Sequence, residues 1–361
     1  MDPDKLDDLR KVFYDQIDRQ RLHPAAQLVV LRHGRVVLDL AHGIGRSGQL
    51  ITPETPFYTF SVSKAFTGIC VHQLIEQGKL EMDAPVTEYW PEFGQKGKET
   101  ATIRHVFLHQ AGIPAPHLNR QVLVWPLWNA VTRQLARTEA VYPPGEITAY
   151  HLVNYGFILG EVVRRVSGTP IDQYLDEHFI RPMGLTHTWM RIPARELKLS
   201  PRLFSGDREY HSAAFVFNHR PIRRALIPAA SLHSPARELA LFYQMLLNGG
   251  SYNGKRYLKA ETIQRAVTPG FEGLDQYIHH NMRYAYGFHL QQSFLTYEGE
   301  RRFDMGPGAS PRAFGHFGMA SSMVFADPDA DLVVAFTCNR LIKDSANRNQ
   351  ALLDALWKAV E

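Results

Sequence analysis

Cysteine is scarce in this chain, with only Cys70 and Cys338 among 361 residues. Two cysteines give no disulfide framework, so we expect both to be small buried apolar side chains. The chain also lacks any run of about 20 apolar residues, the length that a membrane-spanning helix needs. Residues 1–8 are polar and acidic, whereas a secretory signal has a basic start followed by an apolar run. These absences predict a soluble, cytoplasmic protein that makes no contact with a membrane.

An excess of charge of one sign is absent too, because 40 Lys and Arg residues are scattered among 36 Asp and Glu residues. The chain has no basic arm and no nucleic-acid-binding module, so we expect no nucleic-acid partner. Hydrophobic residues make up 45% and charged residues 21%, as in an ordinary globular enzyme. A chain of this length forms one large domain or two closely packed ones.

Strand patterns occupy the two ends of the chain. A helix is predicted at residues 4–20, and residues 26–40 predict a hairpin around a tight His-Gly turn. Because strands at both ends of a chain can share one sheet, we predict an α+β fold with an antiparallel sheet flanked by helices. The late elements are strands at residues 284–291, 313–317, 321–326 and 332–337, and a last helix at residues 346–360.

Helical patterns dominate the middle of the chain, at residues 102–109, 148–166, 171–179 and 235–247. Residues 181–233 contain many arginines and few regular patterns, so we expect loops that cover one side of a cleft. We therefore predict an α/β lobe of residues 1–78 and 275–361 and a mainly helical lobe of residues 79–274. The active-site cleft is expected between the two lobes.

One segment, residues 60–68, is the strongest candidate for chemistry. Ser61 is followed three residues later by Lys64, and no other serine of the chain has a lysine at that spacing. Apolar residues continue at helical spacing, which predicts that Ser61 lies in the first turn of a helix with Lys64 on the same face. A serine nucleophile needs a neighbouring base, and a buried lysine with a lowered pKa is such a base. Taken alone, this spacing is more often a helix cap and a solvated lysine.

Two later segments offer partners for this pair. Tyr150 begins a helical pattern after residues 143–145, and a phenol near two cationic groups can ionise and accept the serine proton. The only His-x-Gly sequence among 17 histidines, residues 316–318, lies on a strand pattern. A glycine there lets a substrate lie close to the backbone, and the N–H of Met319 then joins that of Ser61 in an oxyanion hole. Each residue alone is also compatible with a purely structural role.

Together these motifs resemble those of the serine β-lactamase-like superfamily, in the same order and at similar spacing. They are residues 61–64, 150–152 and 316–318, and flanking stretches agree over most of residues 5–340. Within the superfamily the chain is most similar to class C β-lactamases and family VIII carboxylesterases. The resemblance implies a β-lactamase/transpeptidase-like fold, with an all-helical lobe beside the sheet.

The resemblance also implies roles for individual residues. Ser61 is the nucleophile that carries the acyl group, and Lys64 and Tyr150 handle its proton. The backbone N–H groups of Ser61 and Met319 form the oxyanion hole, and His316 replaces the lysine that many members carry. The superfamily chemistry uses no metal and no other cofactor.

Two positions depart from the class C pattern. Leu152 replaces an asparagine whose amide holds the side-chain carbonyl of the drug, and leucine makes no such hydrogen bond. His316 lacks the permanent cation that meets a β-lactam carboxylate. Both changes favour neutral, more apolar substrates, so we predict a serine carboxylesterase that cleaves small-molecule esters of short to medium acyl chains. The expected substrate-binding residues are Leu152, His316, Phe317, Gly318, Trp125 and Trp128, of which the two tryptophans are equally compatible with a core role.

Several alternatives stay open at this point. A β-lactamase, a D-amino-acid peptidase and an acyltransferase share the same motifs, so the motifs do not separate them. A substrate amide and a homo-oligomer are both compatible with the sequence. A non-catalytic binding protein of this fold is the alternative from another class, although such a protein has no need of a buried serine–lysine pair.

Overall fold

The computed structural model describes residues 1–45, 48–114, 122–295, 299–319, 322–343 and 345–360. Its strands are β1 (Ala25–Arg32), β2 (Arg35–Gly43), β3 (Phe57–Tyr58), β4 (Phe204–Ser205), β5 (His233–Ser234), β6 (Ser251–Tyr252), β7 (Lys255–Arg256), β8 (Phe271–Asp275), β9 (His280–Tyr284), β10 (His289–Leu290), β11 (Ser293–Leu295), β12 (Arg301–Phe303), β13 (Phe314–Gly318), β14 (Ser322–Asp327), β15 (Leu332–Cys338) and β16 (Arg340–Leu341).

The α-helices of the described residues are α1 (Pro3–Asp18), α2 (Ser63–Glu76), α3 (Val86–Tyr89), α4 (Ile103–Phe107), α5 (Trp128–Arg137), α6 (Asn154–Ser167), α7 (Ile171–Leu175), α8 (His211–Asn218), α9 (Arg220–Arg223), α10 (Ala236–Leu247), α11 (Ala260–Ala266) and α12 (Ser345–Val360). A π-helical turn, Asp176–Ile180, continues α7. None of the helices in the described ranges combines the length and apolar character that crossing a bilayer requires.

One antiparallel sheet of eight strands organises the fold, in the order β2-β1-β15-β14-β13-β10-β9-β8. The central strands β1, β14 and β15 are buried along nearly their whole length, because helices cover both faces of the sheet. Helices α1 and α12 pack together on one face, and α10 lies against β1, β14 and β15 on the other. The two ends of the chain therefore share one sheet, as the sequence predicts.

The sequence places two helix starts too early. Helix α2 begins at Ser63, so Ser61 lies in the turn before it, where the Ser63 hydroxyl donates to the Phe60 carbonyl at 2.6 Å. Phe60 itself has a positive φ of 51°, which turns the chain sharply before the helix. Helix α6 begins at Asn154, so Tyr150 lies in the preceding loop rather than at the helix start.

The expectation of loops over residues 181–233 is wrong in part. The segment contains β4, α8, α9 and β5, and the arginines hide this pattern. Arg223, for example, is 1% exposed, and its guanidinium donates to Ser200 Oγ and to the Pro201 carbonyl. Strand β8 and helix α11 are likewise absent from the predicted elements, and Ser321, the first residue of one predicted strand, lies outside the described residues.

The boundaries of the two lobes stay a prediction. Strand β8 joins the sheet from Phe271 onwards, and α10 packs on the sheet although it falls within the range assigned to the helical lobe. A single large hydrophobic cluster includes residues of α2, α6, α10 and the sheet. The core is therefore continuous from the sheet into the helices around α2.

Candidate active site

The turn before α2 and the first turn of that helix bring Ser61 and Lys64 together. Lys64 Nζ lies 3.2 Å from Ser61 Oγ. Ser61 is half-buried, whereas Lys64 is only 1% exposed. The spacing of three residues that the sequence singles out thus places an amine directly beside a hydroxyl that is open to a substrate.

Two backbone carbonyls surround the same amine. Lys64 Nζ donates to the Leu152 carbonyl at 2.9 Å and to the Ala229 carbonyl at 3.4 Å. Burial holds the pKa of the Lys64 amine well below its usual value, and no carboxylate is among the causes of the shift. A neutral amine has two N–H groups and one lone pair. The two carbonyls use both N–H groups, so the lone pair is left for the hydroxyl of Ser61.

Close packing of α6 on residues 228–232 sets the position of the Ala229 carbonyl. A Cβ on Gly156 would lie 2.1 Å from the backbone nitrogen of Ala229, so only glycine permits this approach. The same segment is fastened to α2, because the Thr67 hydroxyl donates to the Pro228 carbonyl at 2.7 Å. The backbone N–H of Leu232 also donates to Ser63 Oγ at 2.9 Å. The surroundings of the amine are therefore fixed from three sides.

Tyr150 lies against Lys64, with Nζ 4.5 Å from the centre of the phenol ring. Burial raises the pKa of this phenol, a hydrogen bond with Ser61 opposes the rise, and the Asp275 carboxylate adds to it. The direction of the shift opposes the expectation that Tyr150 ionises near two cationic groups. A phenol with a raised pKa stays protonated at neutral pH, which favours Lys64 rather than Tyr150 as the candidate base.

Strand β13 contacts the segment that precedes Ser61. A Cβ on Gly318 would lie 2.2 Å from the Thr59 carbonyl and 2.0 Å from Ser322 Oγ, and that hydroxyl donates to Thr59 at 2.7 Å. Glycine is thus needed here for contact with the segment that precedes Ser61, rather than only for a substrate. This contact brings Met319, the next residue, towards the nucleophile, and its role as an oxyanion donor stays a prediction.

The family model for beta-lactamase matches residues 13–356, nearly the whole chain. The chain belongs to the beta-lactamase family. The recognition made from the three motifs is confirmed.

Relatives of known name or structure agree with this assignment. The chain is 28% identical over 353 residues to Esterase/beta-lactamase LipL of Mycobacterium tuberculosis, covering 87% of this chain and 77% of the relative. A penicillin-binding protein homologue from Caulobacter crescentus superimposes with a TM-score of 0.84 at 28% identity, over 99% of this chain and 98% of the homologue. A family VIII carboxylesterase superimposes with a TM-score of 0.85 at 26% identity, over the same shares. The predicted β-lactamase/transpeptidase-like fold is therefore confirmed.

The third motif of this beta-lactamase family member, residues 316–318, has side chains in different surroundings. His316 is 2% exposed, and its Nδ1 donates to the Phe317 carbonyl at 3.0 Å. Burial is the main cause that lowers the pKa of His316 well below its usual value, with His289 and Lys64 contributing. The Phe317 side chain instead packs into the cluster under α1 and α12. The centre of its ring also lies 5.9 Å from that of His289, and the role of Phe317 as a substrate contact stays a prediction.

The candidate pocket residues differ in their contacts. Leu152 is half-buried and takes part in the site through its carbonyl, which sequence reasoning did not foresee. Trp125 is 5% exposed and lies 6.0 Å, centre to centre, from the Phe217 ring, which in turn packs on Phe60 next to the nucleophile. The Trp128 indole N–H donates to Glu161 at 2.8 Å, and the ring lies on α6. Trp125 stays a candidate for the acyl pocket, whereas Trp128 has the contacts of a core residue.

Several site residues give no signal in the sequence. His109, with a positive φ of 60°, lies 4.4 Å from Tyr150 between ring centres, and its Nδ1 accepts from the His151 backbone N–H at 3.1 Å. Buried Asp275 accepts from the Tyr150 backbone N–H at 3.2 Å, and His289 lies 4.3 Å from His316 between ring centres. These residues belong to no motif, and only the tertiary fold brings them to the site.

Proposed function

We propose that this protein is a serine carboxylesterase, which cleaves small-molecule esters of short to medium acyl chains through an acyl-enzyme on Ser61. One observation carries the proposal: Lys64 Nζ lies 3.2 Å from Ser61 Oγ while two backbone carbonyls occupy its N–H groups. An amine held in this way is a base for the serine proton, which is the activation that a serine nucleophile needs.

The acylation step follows from this arrangement. Ser61 Oγ attacks the carbonyl carbon of the ester, and its proton passes to Lys64 Nζ. The carbonyl oxygen becomes an oxyanion, which the backbone N–H groups of Ser61 and Met319 stabilise. The carbon–oxygen bond to the leaving alcohol then breaks. The alcohol oxygen takes the proton of the Tyr150 hydroxyl, and the Lys64 ammonium restores that proton.

Deacylation uses the same groups. A water molecule attacks the carbonyl carbon of the acyl-enzyme, and its proton passes to the neutral amine of Lys64. The bond between the acyl carbon and Ser61 Oγ breaks, and Oγ takes that proton from the Lys64 ammonium. The carboxylic acid leaves, and the serine, the amine and the phenol are in their starting states.

The preference for esters is supported by the charge of the site. His316 is buried and neutral, so it offers no permanent cation to the carboxylate of a β-lactam. Leu152 offers no side-chain amide. Hydrolysis of β-lactams is the second candidate, because the name of LipL couples esterase with beta-lactamase.

A comparison of two substrates tests the proposal. We expect kcat/KM for p-nitrophenyl butyrate to exceed that for nitrocefin, and Ser61→Ala to lower the ester value by at least about 10³-fold. Labelling by a fluorophosphonate probe should disappear in the same variant. Ser251→Ala, on the β6–β7 hairpin away from the site, is the matched control and should keep both activities.

Three results would contradict the proposal. Equal labelling of the wild type and Ser61→Ala means that Ser61 is not the nucleophile. Faster turnover of nitrocefin makes the protein a β-lactamase with unusual second and third motifs. Labelling without turnover of either substrate favours an acyltransferase or a selective peptidase.

A further inference from the structure

Two imidazole rings lie side by side next to the catalytic tyrosine, and one of them has no assigned role. The ring centres of His289 and His316 are 4.3 Å apart, and the His289 ring lies 6.2 Å from the Tyr150 ring. Both histidines are buried, with 8% and 2% of their surface exposed. Burial lowers the pKa of His289 to about 3, so both rings are neutral at neutral pH.

The hydrogen bond to Phe317 fixes the tautomer of His316. A carbonyl oxygen only accepts, so Nδ1 of His316 carries the proton, and Nε2 of a neutral ring carries the lone pair. Among the described residues Nε2 has no hydrogen-bond partner, and it is not sealed from solvent. His316 thus keeps an acceptor without a partner among the described residues.

His289 presents the complementary group. Its Nε2 is sealed from solvent and has no partner in the described part of the chain, whereas its Nδ1 is accessible. A buried N–H without a partner is rarer and more costly than a buried lone pair, so the proton belongs on the accessible Nδ1. The two rings therefore offer one donor and one acceptor at neighbouring positions.

We infer that His289 and His316 form a subsite for a hydroxyl group of the ester substrate. Resting on the proposed esterase activity, this inference adds the substrate class, which is an ester whose leaving alcohol carries a further hydroxyl, as in a polyol ester. A hydroxyl donates to Nε2 of His316 and accepts from Nδ1–H of His289 at once. A carboxylate only accepts, so it leaves the lone pair of His316 unmatched.

The position of the pair assigns the hydroxyl to the alcohol side of the ester. In the proposed mechanism Tyr150 passes its proton to the leaving oxygen, and of the two rings of the pair it is His289, on β10, whose ring centre lies 6.2 Å from that of Tyr150. A group bound between the two imidazoles is therefore nearer to the leaving oxygen than to the acyl chain. We place the acyl chain on the other side of the site, where Phe60 and Phe217 pack together.

A matched pair of substrates tests the subsite. Glyceryl monobutyrate and propyl butyrate share the acyl group and the three-carbon alcohol, and differ in two hydroxyls. We define the selectivity as the ratio of kcat/KM for the glyceryl ester to that for the propyl ester, measured by titration of the acid released. We expect His289→Phe and His316→Phe each to lower this selectivity by about tenfold, and His316→Gln, which keeps a polar amide, to restore part of it.

The controls separate the subsite from the reaction. His42→Phe makes the same change on the edge strand β2, which three other strands separate from β13, and should keep the wild-type selectivity. Where a phenylalanine variant does not fold by circular dichroism, methionine at the same position makes the same test. Equal selectivity in the wild type and both variants, with hydrolysis still dependent on Ser61, overturns the subsite alone. Hydrolysis that survives Ser61→Ala, or no hydrolysis by the wild type, overturns the proposed function and the subsite with it.

Discussion

Within the described part of the chain, Lys64 is held without an acidic partner. Its side chain is 1% exposed, and its three hydrogen-bond contacts are a hydroxyl and two carbonyls. Burying a charged ammonium in such surroundings costs several kcal/mol, and the neutral amine avoids most of that cost. The same burial that destabilises the cation lowers the pKa of the amine and so favours its free-base form. The pKa of the Tyr150 phenol is raised instead, so the phenol keeps its proton and is the acid of the proposed pair.

Replacement of Lys64 tests its role in the reaction separately from its effect on the stability of the fold. We expect Lys64→Met, which keeps the length and apolar stem of the side chain, to lower kcat/KM for p-nitrophenyl butyrate by at least about 10²–10⁴-fold. The circular dichroism spectrum should stay that of the folded protein. Turnover near the wild-type rate in the folded variant would remove Lys64 from the mechanism.

The pH dependence follows from the two shifts. Lys64 is active as the free amine, so kcat/KM for an ester should rise with pH through the lowered pKa of Lys64 and reach its plateau below the usual value of 10.5. In the proposed mechanism Tyr150 is active as the phenol. Because its pKa is raised, kcat/KM should not decline at any pH below 10. A profile measured with an ester of constant charge checks both. A maximum followed by a decline near neutral pH would contradict the assignment of base and acid.

Among the elements, the segment 228–232 holds helix α2, which carries Lys64, through several hydrogen bonds. It accepts hydrogen bonds from Thr67 and Lys64 and donates one to Ser63, and α6 presses on it from the other side at Gly156. The segment has no motif and little regular structure. It nevertheless decides where the carbonyl that receives a Lys64 N–H is placed.

A methyl group at Gly156 should therefore disturb catalysis from outside the site. Gly156→Ala would place its Cβ 2.1 Å from the Ala229 nitrogen, and the segment must move. We expect a loss of about 1–3 kcal/mol in the free energy of unfolding and a fall of about 10–100-fold in kcat/KM. Gly94→Ala, whose Cβ would meet the side-chain methyl of Thr87 at 2.2 Å, makes a milder clash away from the site and should lower stability alone. Equal kinetic effects in the two variants would show that only stability is lost.

The sequence predicts those elements and site residues that leave a recognisable pattern of residue types. The strands of the sheet centre and the pair Ser61 and Lys64 follow from alternation and spacing, and the structure has them within a few residues. The carbonyls of Leu152 and Ala229 leave no such pattern, because every residue has a carbonyl and only the fold aims it. His289 and Asp275 were missed for the same reason, since their partners are distant in sequence.

Across the molecule, several histidines are buried and have lowered pKa values. Burial lowers the pKa of His23 and His289 to about 3 and of His72 and His151 to about 4, well below the 6.5 of a free histidine. Between pH 6.5 and 4 the unfolded chain binds protons at these sites and the folded chain does not. Stability therefore falls as the pH falls through this window, by about 1.4 kcal/mol per pH unit for each histidine.

Denaturant titrations at several pH values check this expectation. The free energy of unfolding should decrease steeply from pH 6.5 to pH 4.5, on top of any change due to carboxylates. His72→Phe fills the place of a buried ring that stacks on Phe107 and removes one of the titrating groups. Its slope should be smaller by about 1.4 kcal/mol per pH unit. An unchanged slope would mean that His72 binds its proton in the folded state.

The pairing of β1 with β15 also determines at which stage of synthesis the site can assemble. The Ala25 backbone N–H donates to the side chain of Asn339, 314 residues further along the chain, and the Ser322 hydroxyl donates to the carbonyl of Thr59, two residues before Ser61. Contacts between such distant residues are slow to form, because a long loop must close before any of them is made. A ribosome that has synthesised three quarters of the chain holds Ser61, Lys64 and Tyr150 but no strand β13 to complete their site. Hydrolytic activity should therefore arise in one late step, when the final strands reach the sheet.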